Sequence, residues 1–170
     1  MINSQIQILA QAESYLLSVT PEQYQEIKSP QFISSSGQHL RHVLDHYVAM
    51  IRGLKVGCID YDKRSRGGYV ESDIEAARNL ILEIKSWLLV LTDQLLTKPL
   101  MLSTEVCIEE KRVITMTTSL ARELVFASSH AIHHFAMMAQ ISKAQNIAIP
   151  DNFGLAPATA TFMREQSCAR

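Results

Sequence analysis

The chain has 170 residues, of which 47% are hydrophobic and 19% are charged, and its formal net charge is -1. This composition excludes disordered and low-complexity chains and is typical of a globular protein with a sizeable core. The 16 basic and 17 acidic residues produce no broad positive field for a nucleic acid or an anionic membrane surface. No apolar run reaches the roughly 18 residues of a membrane span. We therefore expect a single domain over residues 1–170, with neither nucleic acid nor membrane as a partner.

The start of the chain and its cysteines bear on the cellular compartment. Residues 1–5 lack the basic start and apolar block of a secretory signal peptide. The three cysteines are odd in number and too scattered for a disulfide scaffold. Together these features predict a cytoplasmic location.

Apolar residues at helical spacing predict four long helices. We expect them at about residues 4–19, 34–54, 72–96 and 118–145. The third is expected to begin at a capping box in which Ser72 is the N-cap and Glu75 its partner, and to stop before Pro99. Thr20, Pro21 and Gln23 form a second capping box, which predicts a short helix after the first long one.

The segments between the helices differ in character. Residues 57–68 are polar and glycine-containing, which predicts a loop. Residues 100–118 are rich in β-branched side chains around a charged tip at 109–111, which favours a β-hairpin or an extended crossing. A terminal helix fits residues 157–166. The predicted fold is therefore all-α, a four-helix bundle with a small β-hairpin or extended insertion between the third and fourth long helices.

All six histidines fall in two short windows, each on a predicted long helix. The second long helix and the fourth contribute three each: His39, His42, His46, His130, His133 and His134. Spacings of three and four place the first three along one side of their helix. At about 100° per residue, His134 lies about 40° round the helix from His130, and His133 lies about 60° to the other side. His130 and His134 are thus the natural chelating pair, whereas His133 is a candidate for the surface or for supporting a ligand.

This arrangement predicts a metal site. Two imidazoles one turn apart can reach a single divalent ion at about 2.0–2.1 Å, and a third from a facing helix completes a triad. Neutral imidazole suits zinc, nickel, copper or iron. The alternative is a metal-free core in which the histidines stack and form hydrogen bonds. Spacing alone leaves open which member of the first window would bind.

Two other kinds of metal protein are excluded by missing residues. A ferritin-type di-iron centre needs Glu-x-x-His pairs, and no Asp or Glu lies three residues before any histidine. The zinc-protease motif His-Glu-x-x-His is absent because Ala131 and Ile132 stand between His130 and His133.

The histidine segments resemble those of the DinB superfamily, a group of DinB/YfiT-like metalloenzymes. The resemblance covers nearly the whole chain and rests on residues 35–42 (SSGQHLRH) and 130–134 (HAIHH), with weaker support from residues 149–157 and 60–64. It implies a four-helix bundle, usually a homodimer, with one divalent metal ion held by three histidines. Carried onto this chain, the implied ligands are His42, His130 and His134, with His39 and His46 as substitutes if the register differs by one turn.

The resemblance also implies a reaction type. Members with a known role use the metal to activate a low-molecular-weight thiol, as in mycothiol-dependent maleylpyruvate isomerase and the bacillithiol transferases. Three protein ligands leave a coordination position open, which is typical of a catalytic site. We therefore expect a metal-dependent enzyme of the thiol-transferase type acting on a small molecule, with zinc or nickel first and iron or manganese as alternatives. No general base is evident in the sequence.

Two alternatives to catalysis stay open. In the first, the metal only clamps two helices of a non-catalytic or dimeric interaction protein; in the second, the bundle holds no metal. Asp45 either orients a histidine or faces away from the site. Lys63, Arg64 and Arg66 either pair with the acidic residues of their loop or meet an anionic substrate.

Overall fold

The part of the chain that the structure describes contains seven α-helices and three strands. The computed structural model describes residues 1–63 and 67–168. The helices are α1 (Ile2–Leu16), α2 (Pro21–Gln25), α3 (Ser36–Val56), α4 (Ile74–Leu89), α5 (Asp93–Thr97), α6 (Leu120–Ala144) and α7 (Pro157–Cys168), with a 3-10 turn at Tyr69–Glu71. The strands are β1 (Cys58–Asp60), β2 (Pro99–Glu105) and β3 (Val113–Ser119). The prediction of a helix-dominated chain is confirmed.

The start of α3, which carries the first histidine window, is fixed by local hydrogen bonds. The Ser35 hydroxyl accepts the backbone N–H of Gln38 at 3.2 Å, and the Gln38 side chain accepts the N–H of Ser35 at 3.1 Å. This reciprocal capping box satisfies two donors that the helix itself leaves unpaired. Between these two residues, Gly37 packs against the 3-10 turn so closely that a Cβ there would lie 2.1 Å from the carbonyl oxygen of Glu71.

The long helices pack around one apolar core. Helix α3 lies against α4 and α6, and α1 lies against the same two helices. The largest side chains buried between them are Tyr15, Tyr24, Tyr47 and Phe135. Within the described residues no helix is both long and apolar enough to cross a membrane.

A three-stranded sheet lies beside the helices. Strands β2 and β3 form the predicted hairpin, with Pro99 opposite Ser119. Strand β1 pairs with β2 in parallel, with Cys58 opposite Met101, so the prediction that residues 57–68 are all loop was wrong at its start. Gly57 ends α3 in the left-handed conformation, with φ of 82°. The chain therefore turns directly from the helix into β1.

The third predicted helix needs two corrections. It begins after Asp73 rather than Ser72, because the Asp73 carboxylate accepts the N–H groups of Glu75 and Ala76. It ends at Leu89 rather than near residue 96. Thr92 then caps the separate helix α5 by accepting the N–H of Leu95 at 3.4 Å. A threonine N-cap inside a continuous apolar pattern was the signal for this break.

The C-terminal segment returns to the core. Phe153 is buried and stacks on both Tyr15 and Phe135, with ring centroids 4.8 and 4.9 Å apart. The predicted terminal helix is present as α7.

Candidate metal site

Helices α3 and α6 bring the two histidine windows together. The Nε2 atoms of His42 and His130 are 2.9 Å apart, and those of His130 and His134 are 3.1 Å apart. On the outer side, Nδ1 of His134 lies 2.8 Å from Nδ1 of His39. The three residues implied as ligands by the resemblance, His42, His130 and His134, are therefore neighbours in the fold. Their role as ligands stays a prediction.

A fourth histidine belongs to the same cluster. His42, His46 and His130 each offer a ring nitrogen, and these three atoms lie within 4.8 Å of one another. His46 is buried, and its Nδ1 donates a hydrogen bond to the carbonyl oxygen of His42 at 2.9 Å. This bond leaves Nε2 as the nitrogen that presents a lone pair, which is the usual arrangement of a metal-binding histidine. His46 thus has as strong a geometric claim as the expected ligands.

The remaining two histidines lie further out. His39 is half-buried, and its Nε2 is 2.8 Å from the hydroxyl oxygen of Ser34. His133 is exposed, and its ring centroid is 5.4 Å from that of His134. This position fits the expectation that His133 faces the surface or supports a ligand.

Burial favours the uncharged form of two imidazoles, those of His134 and His39. Burial, followed by the nearby imidazoles of His130 and His39, lowers the pKa of His134 to about 3. Burial also lowers the pKa of His39, with a smaller contribution from His133. A neutral imidazole is the form that binds a metal ion. At neutral pH His134 is therefore in the form that a metal ion requires.

Two aromatic rings pack against the cluster on the side of His46 and His130. Phe126 stacks against His130, with centroids 5.6 Å apart and planes inclined by 20°. Tyr61, which follows β1, lies 5.0 Å from the ring of His46 and 5.8 Å from that of Phe126. Burial and the adjacent Glu123 raise the pKa of the Tyr61 phenol, so it is protonated and able to donate.

A buried carboxylate holds this aromatic wall. Glu123 is fully buried and accepts hydrogen bonds from the Tyr61 hydroxyl at 2.7 Å and the Thr118 hydroxyl at 2.5 Å. It also pairs with the Arg122 guanidinium at 2.9 Å. Sequence reasoning missed both Glu123 and Tyr61. The available signal was spacing, because Glu123 lies seven residues before His130 and therefore on the same face of α6.

Several charged residues lie outside the cluster. Asp45 pairs with Arg41 at 2.7 Å rather than with a histidine, and Arg41 also binds Glu71 at 2.9 Å. Lys63 pairs with Asp60 at 3.0 Å, which favours the expected pairing within the loop. Arg64 and Arg66, the other two cations of that prediction, lie outside the described residues.

The fold is similar to two solved structures. A DinB-like protein from Bacillus subtilis, YjoA, matches with a TM-score of 0.65 over 89% of this chain and 96% of its own, at 12% sequence identity. A DinB-like protein from Bacillus cereus matches with a TM-score of 0.53 over 84% of this chain and 89% of its own, at 13% identity.

In sequence, the chain is similar to part of a longer protein. A stretch of 111 residues, 65% of this chain, is 33% identical to FK506-binding protein 5 of Rhizopus delemar and covers 29% of that protein. The chain therefore spans less than a third of that protein, which is named for binding FK506. No protein-family model matches the sequence. The two solved structures confirm the fold that the resemblance implied: this chain has a DinB-like fold.

Proposed function

We propose that this protein binds one divalent metal ion between α3 and α6 and uses it in a reaction of the thiol-transferase type. The observation that carries the proposal is that Nε2 of His130 lies 2.9 Å from that of His42 and 3.1 Å from that of His134. Each of these separations is short enough for the two nitrogens to reach a common ion at about 2.0–2.1 Å. We propose these three as ligands, and His46 as the residue that would complete or replace the set.

The chemistry of the donor set decides the kind of ion. Every candidate ligand is an imidazole, which suits zinc, nickel and iron better than magnesium or calcium. A bound ion of this kind lowers the pKa of a coordinated thiol or water. The chain itself supplies the imidazoles, and Tyr61 and Phe126 pack against two of them, His46 and His130.

Further parts of the proposal rest on the resemblance. We propose that the four long helices are arranged as a bundle around the site and that the chain forms a homodimer in the cytoplasm. The substrates would be a low-molecular-weight thiol and a small electrophile.

A second candidate function is a non-catalytic metal clamp. Four imidazoles, those of His42, His46, His130 and His134, meet in the cluster. Four protein ligands would close a tetrahedral zinc site, which is the pattern of structural rather than catalytic zinc. In that case the metal would join α3 to α6 without reacting.

Elemental analysis of purified, untagged protein tests metal binding. We expect about one ion per chain in the wild type and none in a His42→Ala, His130→Ala, His134→Ala triple variant that keeps its helical circular dichroism. His133→Ala is the matched control, because it removes an exposed histidine of the same window, and it should keep the ion. A wild type that stays empty after incubation with zinc or nickel at neutral pH would exclude the proposal.

Cobalt(II) loading separates the two candidate functions. If a coordination position is open, a small thiol added to the cobalt-loaded protein will produce a thiolate-to-cobalt absorption band. A thiol-transferase will also consume that thiol in the presence of an electrophile. An unchanged cobalt spectrum and no thiol consumption would favour the clamp.

A further inference from the structure

A chain of polar contacts leads outwards from the histidine cluster. Nε2 of His134 faces His130 at 3.1 Å, and Nδ1 of His134 faces Nδ1 of His39 at 2.8 Å. Nε2 of His39 in turn lies 2.8 Å from the Ser34 hydroxyl oxygen. Both ring nitrogens of His134 and of His39 are thus engaged.

These contacts restrict where the protons can lie. If His134 presents the Nε2 lone pair to an ion, its proton is on Nδ1, and Nδ1 of His39 must accept it. His39 then carries its own proton on Nε2 and donates it to Ser34. A metal-binding histidine usually donates its second ring N–H to a partner that fixes its tautomer and orientation. For His46 the carbonyl oxygen of His42 fills this position.

We propose that His39 is a positioning residue for His134, kept in place by its contact with Ser34, and is not a metal ligand. This inference rests on the proposed metal site and concerns how one of its ligands is oriented. It assigns separate roles to neighbouring histidines: His134 binds, His39 orients, and exposed His133 does neither. The alternative is that His39 and His134 bind a second ion through their facing Nδ1 atoms.

Metal affinity in matched variants tests the assignment. The dissociation constant for zinc is measured by competition with a chromophoric chelator, on untagged full-length protein. His39→Leu removes the acceptor at similar bulk, so affinity should fall about 10- to 100-fold, as is typical when an outer partner of a ligand is lost. His39→Asn keeps an acceptor oxygen near the position of Nδ1 and should recover most of the affinity. His133→Leu is the control and should bind as the wild type does.

The outcomes separate this inference from the proposed function. A wild type that binds no ion would overturn both. A wild type that binds one ion, with His39→Leu equally tight, would overturn the positioning role alone. Two ions per chain in the wild type and one in His39→Leu would also overturn it, because His39 would then be a ligand.

The tautomers give a readout that loss of packing would not produce. In zinc-loaded protein with 15N-labelled histidine, long-range 1H–15N spectra report which nitrogen of each ring carries the proton. We expect the proton on Nδ1 of His134 and on Nε2 of His39. A proton on Nδ1 of His39 would contradict the proposal. In Ser34→Ala the proton should stay on Nε2 of His39, because Nδ1 of His39 still accepts from Nδ1 of His134.

Discussion

At the scale of single residues, Glu123 is the side chain whose removal should cost the most stability near the site. It is fully buried and accepts hydrogen bonds from Tyr61 and Thr118, with Arg122 alongside. Glu123→Ala leaves these donors without their acceptor, and an unpaired buried polar group costs about 1–3 kcal/mol. We expect the free energy of unfolding in urea to fall by about that amount. The contribution of Arg122 should be small because its side chain is largely exposed.

Two variants control this experiment. Glu83→Ala removes an exposed carboxylate from α4 and should change the free energy of unfolding by less than about 0.5 kcal/mol. Tyr61→Phe removes one of the donors, so its effect and that of Glu123→Ala should be less than additive in the double variant. Strict additivity would show that the two side chains do not act together.

The residue scale also shows how far the candidate site could be predicted. The spacing of His130 and His134 follows from helix geometry, whereas the choice of His42 within the first window came from the resemblance to the DinB superfamily. The inclusion of His46 could not be derived, because spacing does not say how far along α3 the contact with α6 extends. The contact between Tyr61 and Glu123 could not be derived either. Tyr61 directly follows β1, and β1 pairs with a strand that lies more than 40 residues later in the sequence.

At the scale of elements, the N-terminus of α4 offers a direct comparison of two adjacent candidate caps. The Asp73 carboxylate accepts the N–H groups of Glu75 and Ala76 at 2.8 and 3.2 Å. The Ser72 hydroxyl instead donates to the carbonyl oxygen of Tyr69 at 3.3 Å. Asp73→Ala should therefore lower the free energy of unfolding by about 1 kcal/mol, as is typical of a lost N-cap. Thermal and urea denaturation measure the change.

Ser72→Ala is the matched control for that helix start. It removes an exposed hydroxyl that makes no contact with the helix, so its effect should stay below about 0.5 kcal/mol. The reverse order of the two effects would indicate that α4 begins at Ser72, as the capping-box pattern predicts.

The same helix explains why some element boundaries could not be predicted. Its apolar pattern continues past Leu89 through Leu91, Leu95 and Leu96, and periodicity treats them as one stretch. The break depends on Thr92, which caps α5, and a threonine within a helical pattern is a weak signal. By contrast, the change to β-branched residues before α6 was strong enough to predict a β-hairpin or an extended crossing there, and the structure has the hairpin.

At the scale of the whole molecule, helical periodicity accounts for α1, α3, α4 and α6 and hence for most of the fold. The sheet was only half predictable, because β1 is three residues long and joins β2 in parallel across a large sequence separation. Parallel pairing leaves no local turn signal. The likeness to YjoA at 12% identity shows that two very different sequences adopt a similar fold.

Metal binding at the proposed site should increase the stability of the whole molecule. His42 and His130 are 88 residues apart in the chain, yet their Nε2 atoms lie 2.9 Å apart. An unfolded chain does not hold such a pair together, so the free energy of metal binding adds to that of folding. At a free zinc concentration roughly 100 times Kd, the added stability is about 2.7 kcal/mol. For a chain of this size, the increase in Tm should be roughly 5–10 °C.

The increase in Tm should disappear when a chelator is added and should be absent from the His42→Ala, His130→Ala, His134→Ala triple variant. His133→Ala should show the full increase, because it leaves the contact between α3 and α6 intact. Differential scanning fluorimetry at several zinc concentrations measures these increases. For linked binding, the added stability should rise with the logarithm of the free zinc concentration. An equal increase in the triple variant would mean that zinc binds elsewhere on the chain. In that case the convergence of α3 and α6 would be a property of core packing rather than of metal binding.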